Sequence, residues 1–308
     1  MDTLQALDKR ITTTAKLQGI VKSMKTLSAV NIRQYERAMA SLATFLEVIE
    51  LGLQTALKEQ PFPKQHAANP NRRGLIVFGS DQGLCGRFNE RLADFVTTQL
   101  DEMGITDRTS VKLLVIGARI GARLEALGYT IDEIFWVPGS VNGINTNIYQ
   151  VLLSMERWLE EDKILQVDIF YNRYEKLTAS EPSRHPLLPI NNERMRELGK
   201  RKWPGRSLPY FRVPADQLFS GLIRQYLFAS LYSIQAESLA SEQASRLRSL
   251  QNAESNIEEH IEELRGEYRI KRQSTITSEL LDLVAGFKAT LKKKKPSADE
   301  PETITTKP

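Results

Sequence analysis

The sequence predicts an α/β protein: a long antiparallel coiled coil built from the chain's own N- and C-terminal helices, with a Rossmann-like α/β domain inserted between them. Three observations carry this expectation. The stretch from Ala215 to Lys295 is eighty-one residues without proline in a chain that has thirteen. Met1 to Gln60 is also proline-free and keeps heptad spacing. Between these ends, short apolar runs alternate with stretches of helical spacing, the pattern of strands and crossover helices.

At the N-terminal end, stepping by three and four from Leu4 visits Leu7, Ile11, Thr14, Gln18, Val21, Lys25, Ser28, Ile32, Tyr35, Met39, Leu42, Leu46, Ile49, Leu53 and Ala56, and twelve of these sixteen positions are apolar. A strict 3.5-residue period held this long favours a supercoil, because a single straight helix drifts away from it. The polar positions Thr14, Gln18, Lys25 and Ser28 fall in one block, where the seam is expected to pack thinly or meet another partner. At the C-terminal end, Leu250, Ile257, Ile261, Leu264 and Tyr268 hold one helix face. A helix of this extent is on the order of 110 Å long and needs a partner. A compact insert brings its chain ends together, so the two rods are expected to leave it side by side and run antiparallel. Each large apolar side chain fully buried between them contributes about 1.5–3 kcal/mol before ordering entropy is subtracted.

In the middle, Pro61 to Arg73 reads as a linker with three prolines. Gly74–Phe78, Val111–Ile116, Ile131–Val137 and Val167–Tyr171 have the composition of buried strands. Helical spacing runs through Asn89–Met103, through Ile120, Leu124 and Leu127, and through Asn145–Glu161. This alternation points to a parallel sheet with helices on its faces. Pro182 to Pro214 holds six prolines and is expected to be extended and loop-like, with an edge strand at Tyr210–Val213. The boundaries are therefore 1–60 for the first rod, 61–73 for the linker, 74–175 for the α/β domain, 176–214 for a proline-rich loop segment of it, 215–291 for the second rod and 292–308 for a disordered tail.

A net charge of +4 is too weak to imply nucleic acid. Its distribution says more: Met1 to Tyr35 carries six basic residues against Asp2 and Asp8, so an acidic partner surface is expected at that end. The single cysteine, Cys85, excludes an internal disulfide and fits a reducing compartment. No stretch approaches the roughly twenty apolar residues of a membrane span, and the charged N-terminus is unlike a signal peptide, so a soluble intracellular chain is expected.

The turn after the first strand, with Asp81, Gly83, Leu84, Cys85 and Gly86, invites a phosphate-binding reading. It is neither G-x-G-x-x-G nor a P-loop, and glycines needed for a tight turn and close packing explain it as well. His66, His185 and His260 have no metal-ligand spacing. Cys85 has no histidine near it in sequence, and a free cysteine is commonly a small buried apolar residue. The carboxylates at Glu254, Glu258, Glu259, Glu262 and Glu263 read as a solvated face with Arg265 and Arg269. No catalytic residue, cofactor or metal is expected.

Three stretches in register carry a family resemblance. SDQGLCGRFN at Ser80–Asn89, LASEQASRL at Leu239–Leu247 and ITSELLDLVAG at Ile276–Gly286 closely resemble the gamma subunit of rotary F-type ATP synthases. KSMKTLSAV at Lys22–Val30 and LLPI at Leu187–Ile190 extend the resemblance over nearly the whole chain in the same order. It implies a non-catalytic central shaft inside a hexamer of alternating alpha and beta subunits. The α/β domain would be the foot, meeting an epsilon-type subunit and the membrane rotor ring, with one copy per complex on the cytoplasmic face of the cell inner membrane. Ion flow would turn ring and shaft together, and the shaft's different faces would set different nucleotide affinities at the beta sites. The family's contacts with the catalytic ring fall on Met24, Lys25, Arg246, Gln273, Thr277 and Glu279. Departures stand at Gln243, where the family usually has histidine, at Leu247 and Leu250, where it has methionines, and at Phe287, where it has alanine; they mark a side branch, such as a second rotary ATPase beside a housekeeping one. The chain lacks the cysteine pair of the chloroplast form's thiol switch.

From the residues alone, a rotor shaft, a nucleotide-binding enzyme with a Rossmann-like domain and a coiled-coil scaffold stay open. An enzyme needs a phosphate fingerprint or an acid/base cluster, and a scaffold need not split its heptads around an α/β insert.

Overall fold

The computed structural model describes residues 3–59, 72–175, 180–207 and 209–293. His66, most of the 61–73 linker and the tail beyond Lys293 lie outside them. The chain falls into two compact units, Lys22–Asn252 and the combination of Met1–Val21 with Ala253–Pro308. Two helices run through both: α1 (Leu4–Glu59) and α6 (Ala215–Lys293).

The larger unit is built on a five-stranded sheet in the order β3-β2-β1-β4-β5. Strands β1 (Arg73–Phe78), β2 (Val111–Ile116), β3 (Glu133–Phe135) and β4 (Gln166–Arg173) pair in parallel, and β1, β2 and β4 carry the continuous buried runs such a sheet favours, while β3 is shorter than the expected Ile131–Val137. Alternation along β1 sorts the two faces. Leu75 and Val77 point to one side, against α2 (Phe88–Glu102) and α3 (Ala118–Ala126). Ile76 and Phe78 point to the other, against α4 (Val141–Glu160), α6 and Tyr35 of α1. The sheet is thus sandwiched between helices.

The 176–214 segment corrects the sequence expectation. The edge strand is not at Tyr210–Val213, which lies outside any strand, but at β5 (Glu181–Leu188), antiparallel to β4. Prolines at 182 and 186 are tolerated because β5 is paired on one side only, so a missing N–H can face away from the ladder. A short helix, α5 (Asn192–Lys200), follows where a loop was expected; Asn191 caps it by accepting hydrogen bonds from the amides of Glu193 and Arg194 at 2.9 and 3.1 Å.

Within this unit α1 and α6 pair antiparallel. Tyr35 and Met39 pack with Leu231 and Ile234, whereas Ile49 and Leu53, further along α1, pack with Phe219, Leu222 and Ala229, earlier on α6. In the smaller unit Gln18 donates to Glu258 at 3.0 Å, so a polar seam position is answered from α6. None of the sixteen heptad positions of α1 is exposed. By length and composition α1 is apolar enough to cross a membrane, contrary to the expectation that no stretch comes near a span. The apolarity has a packing cause. Ile49, Leu53 and Ala56 are buried, while Glu50 on the same helix forms ion pairs with Arg194 at 2.9 Å and Arg201 at 3.5 Å.

The smaller unit also carries an exposed stripe. Leu4 lies fourteen residues before Gln18, which places Arg272 opposite it on α6, fourteen residues after Glu258. Later on α6, Ile276, Leu280, Leu281, Leu283, Val284 and Phe287 are exposed.

Candidate functional site

In doubly wound sheets, ligands bind at the carboxyl ends of the strands, in the crevice where the strand order reverses. Here that crevice lies between β1 and β4, and a helix of the same chain fills it. Ser238 donates to the carbonyl of Phe78, the last residue of β1, at 3.3 Å. Ser241 donates to the carbonyl of Arg173, the last residue of β4, at 3.4 Å. Gln235 donates to Asn147 of α4 at 2.6 Å. These positions recur at three-residue steps, so one polar stripe of α6 staples the helix to the sheet's end.

The stripe continues to the loop after β1. Arg246, 4% exposed, donates to the carbonyls of Gln82 and Gly83, both at 3.3 Å, and to the Glu242 carboxylate at 2.6 Å. The loop itself is fixed by close packing. A Cβ at Gly79 would stand 2.2 Å from Ile120, and Gly86 and Leu84 both have φ near 62°. Asn89 accepts from the Ser80 amide at 3.1 Å and donates to its hydroxyl at 2.8 Å. Asp81 accepts from the amides of Ala118 at 2.7 Å and Val137 at 2.8 Å, tying the loop to the start of α3 and to the chain after β3. Its carboxylate therefore takes the anion-binding position at the α3 N-terminus that a phosphate would use. Cys85 is buried against Ser80 and the Gln82 carbonyl, and burial pushes its thiol above the ordinary range, so it is a packing residue and not a nucleophile.

Burial also raises the Glu242 carboxyl, against the opposing pull of Arg246. One of its oxygens, Oε2, has no hydrogen-bond partner among the described residues. Beside it lies a cavity of about 180 Å³ whose lining includes Asn31, Tyr35, Asp81, Gln243 and Arg246. The Tyr35 hydroxyl is pushed up to about 12 by burial and by the nearby Glu242 charge, so it stays neutral. A neutral phenol, a clamped guanidinium and carbonyls already bonded make a joint between sheet and helix.

The residues named for ring contacts separate by position. Gln273, Thr277 and Glu279 are exposed on α6, with the Thr277 hydroxyl donating to the Gln273 carbonyl at 2.9 Å. Met24 and Lys25 are half-buried on α1. Arg246 is turned inward onto the loop that contains Asp81, Gly83, Leu84, Cys85 and Gly86. The stapling residues Ser238, Ser241 and Glu242 were not singled out from the sequence; their signal was the run of polar residues with three- and four-residue spacing inside a proline-free apolar helix.

A family model described as ATP synthase matches residues 3–290. Relatives named ATP synthase gamma chain include one from Pasteurella multocida, 29% identical over 289 residues, covering 91% of this chain and 96% of the relative. Another, from Staphylococcus epidermidis, is 25% identical over 295 residues and covers 94% and 99% of the two chains. Among solved structures, a chain of the Euglena gracilis mitochondrial ATP synthase superposes with a TM-score of 0.63 at 16% identity, covering 98% of this chain and 99% of that one. A chain of the Tetrahymena thermophila mitochondrial ATP synthase central stalk and c-ring gives 0.53 at 19% identity, covering 76% and 99%. Both share the fold.

Proposed function

Because the chain belongs to the ATP synthase gamma-chain family, we propose that it is the central rotor shaft of an F-type ATP synthase, a non-catalytic subunit that couples ion-driven rotation of a membrane ring to conformational change in the catalytic beta subunits. The observation that carries this reading is the antiparallel pairing of two terminal helices around a sheet whose ligand crevice is filled by one of them. That filling weighs against a nucleotide-binding enzyme. A plain scaffold does not account for a family match that includes the α/β insert as well as the helices.

In this reading the α/β unit is the foot, meeting the rotor ring and an epsilon-type subunit. The helix pair stands in the hexamer of alpha and beta subunits, one copy per complex. The complex lies against a membrane, and we place the chain on its cytoplasmic face. Catalytic sites around an asymmetric shaft meet different faces of it, and differential contact is what shifts their nucleotide affinities. The exposed apolar stripe from Ile276 to Phe287 suits a mostly apolar sleeve at the top of the hexamer. Met24, Lys25, Gln273, Thr277 and Glu279 are the proposed bearing contacts. Arg246 belongs to the same transmission by another route: it holds the Asp81–Gly86 loop on α6, so torque on the foot reaches the shaft through a desolvated joint.

Purification of the tagged chain from its own cells tests this reading. Alpha and beta subunits and an ATPase activity are expected to accompany it. A chain that purifies without any ATPase subunit contradicts the assignment.

A further inference from the structure

Glu242, 4% exposed, has two carboxylate oxygens in unequal surroundings. One accepts from Arg246 at 2.6 Å, while the other, Oε2, has no hydrogen-bond partner among the described residues. A buried acceptor left unanswered costs free energy, and costs more when it is charged. Glu242 lines the cavity of about 180 Å³, together with Asn31 and Tyr35 of α1, Asp81 of the loop after β1, and Gln243 and Arg246 of α6.

The cavity wall is rich in oxygen: two carboxylates, two carboxamides and a phenol that stays neutral. Each Asp81 oxygen accepts one amide hydrogen bond, from Ala118 or Val137, which leaves further lone pairs on both. A water molecule needs only roughly 10–15 Å³ of such space, so an ion and several waters fit together.

Charge decides the kind of occupant. Two carboxylates against one guanidinium leave the lining with a single net negative charge in a poorly solvated place. An anion is repelled by both carboxylates. A divalent ion overshoots, leaving net positive charge beside a guanidinium already fixed on the same carboxylate. A hard monovalent cation balances the charge, takes oxygen ligands and gives Oε2 the partner it lacks.

We propose that this cavity binds a monovalent metal cation, sodium or potassium, through the carboxylates of Glu242 and Asp81, with the oxygens of Asn31, Tyr35 and Gln243 around it. The ion ties α1, the loop and α6 to one point inside the larger unit, and so stiffens the joint that fastens the helix pair to the sheet. It needs no partner subunit, so the site stands or falls separately from the shaft assignment.

A proton competes for Oε2, because burial raises the Glu242 carboxyl, Arg246 opposes the rise and Asp81 adds to it. The charged and titratable groups that face it are Tyr35 from α1, Asp81 from the loop and Arg246 from its own helix. Cation binding is therefore expected to strengthen as pH rises, since the ligand must be deprotonated.

Thermal unfolding of the full chain tests the site, with choline chloride replaced by sodium or potassium chloride at constant ionic strength. The midpoint is expected to rise along a single-site saturation curve for at least one of the two ions. Glu242→Gln keeps an acceptor for Arg246 and removes the charge, and is expected to raise the half-saturating concentration by about tenfold or more. If that variant does not fold, Asn31→Leu, which leaves the Arg246 clamp intact, is expected to raise it several-fold. The proposal fails if choline serves as well as either ion, or if the folded variant responds as the unaltered chain does. It fails too if magnesium chloride stabilises the chain and neither monovalent salt does. Stability that follows pH alone, with no response to sodium or potassium, gives the place to a proton and overturns the cation site.

Discussion

The Asp168 carboxylate holds three strands together. Lying on β4 with its side chain 2% exposed, it forms ion pairs with Arg73 of β1 and with Arg184 of β5, the latter at 2.8 Å. Removing it leaves two guanidiniums in a poorly solvated site, so Asp168→Ala is expected to destabilise the α/β unit by about 3 kcal/mol in chemical denaturation; a loss under about 1 kcal/mol would mean that water replaces the carboxylate. Gly79→Ala is expected to lower stability by about 1–3 kcal/mol, because the new methyl meets Ile120 and the backbone cannot move without shifting the loop. Glu237 gives a pH signature. Burial raises its carboxyl above the ordinary 4.5, partly offset by the Tyr174 amide and Tyr171. The folded state therefore holds the proton more tightly than the unfolded chain. This contribution to stability is complete below about 4.5 and is lost as pH rises through the raised value. Glu237→Gln is expected to flatten that part of the stability profile against pH, and an unchanged slope would assign the titration elsewhere.

At the scale of elements, the helices were legible because their signal is local and repeats. The heptads from Leu4 to Ala56 need no knowledge of the partner, and the structure leaves none of those positions exposed. β1, β2 and β4 were legible for the same reason, as runs buried on both faces, whereas β3, expected over Ile131–Val137, is only Glu133–Phe135 with none of its three residues buried. The edge strand β5 was not, since Pro182 and Pro186 argue against a strand until one knows that only one side is paired. Nor was α5, whose Asn191 cap lies among prolines that suggest a loop. The inward turn of Arg246 was hidden for a different reason: its loop partners are more than 160 residues away in sequence, and a motif match gives a residue's place in the chain without its direction. The exposed end of α6 supplies the test at this scale. Gln273→Leu with Glu279→Leu alters two exposed side chains of α6, so helicity is expected to hold while ATPase turnover, or its coupling to ion transport, falls. Full coupling in the double variant would remove both residues from the bearing surface.

For the whole molecule, the proposed role makes one chain both lever and axle. The sheet gives the foot a rigid body, and the polar stripe on α6 closes the crevice that a Rossmann-like sheet would otherwise offer to a ligand. Ile276, Leu280, Leu281, Leu283 and Val284 give α6 an exposed apolar stretch for other subunits to enclose. Rotation is the property that no scaffold or enzyme reading shares. The most direct measurement attaches a visible probe to a cysteine placed at the exposed Glu161 of the α/β unit, Cys85 being buried, in a complex immobilised through its catalytic subunits. The account requires the probe to turn stepwise in one direction when ATP is supplied and to stop when ATP is withdrawn. A probe that stays fixed while the same complexes hydrolyse ATP would contradict it.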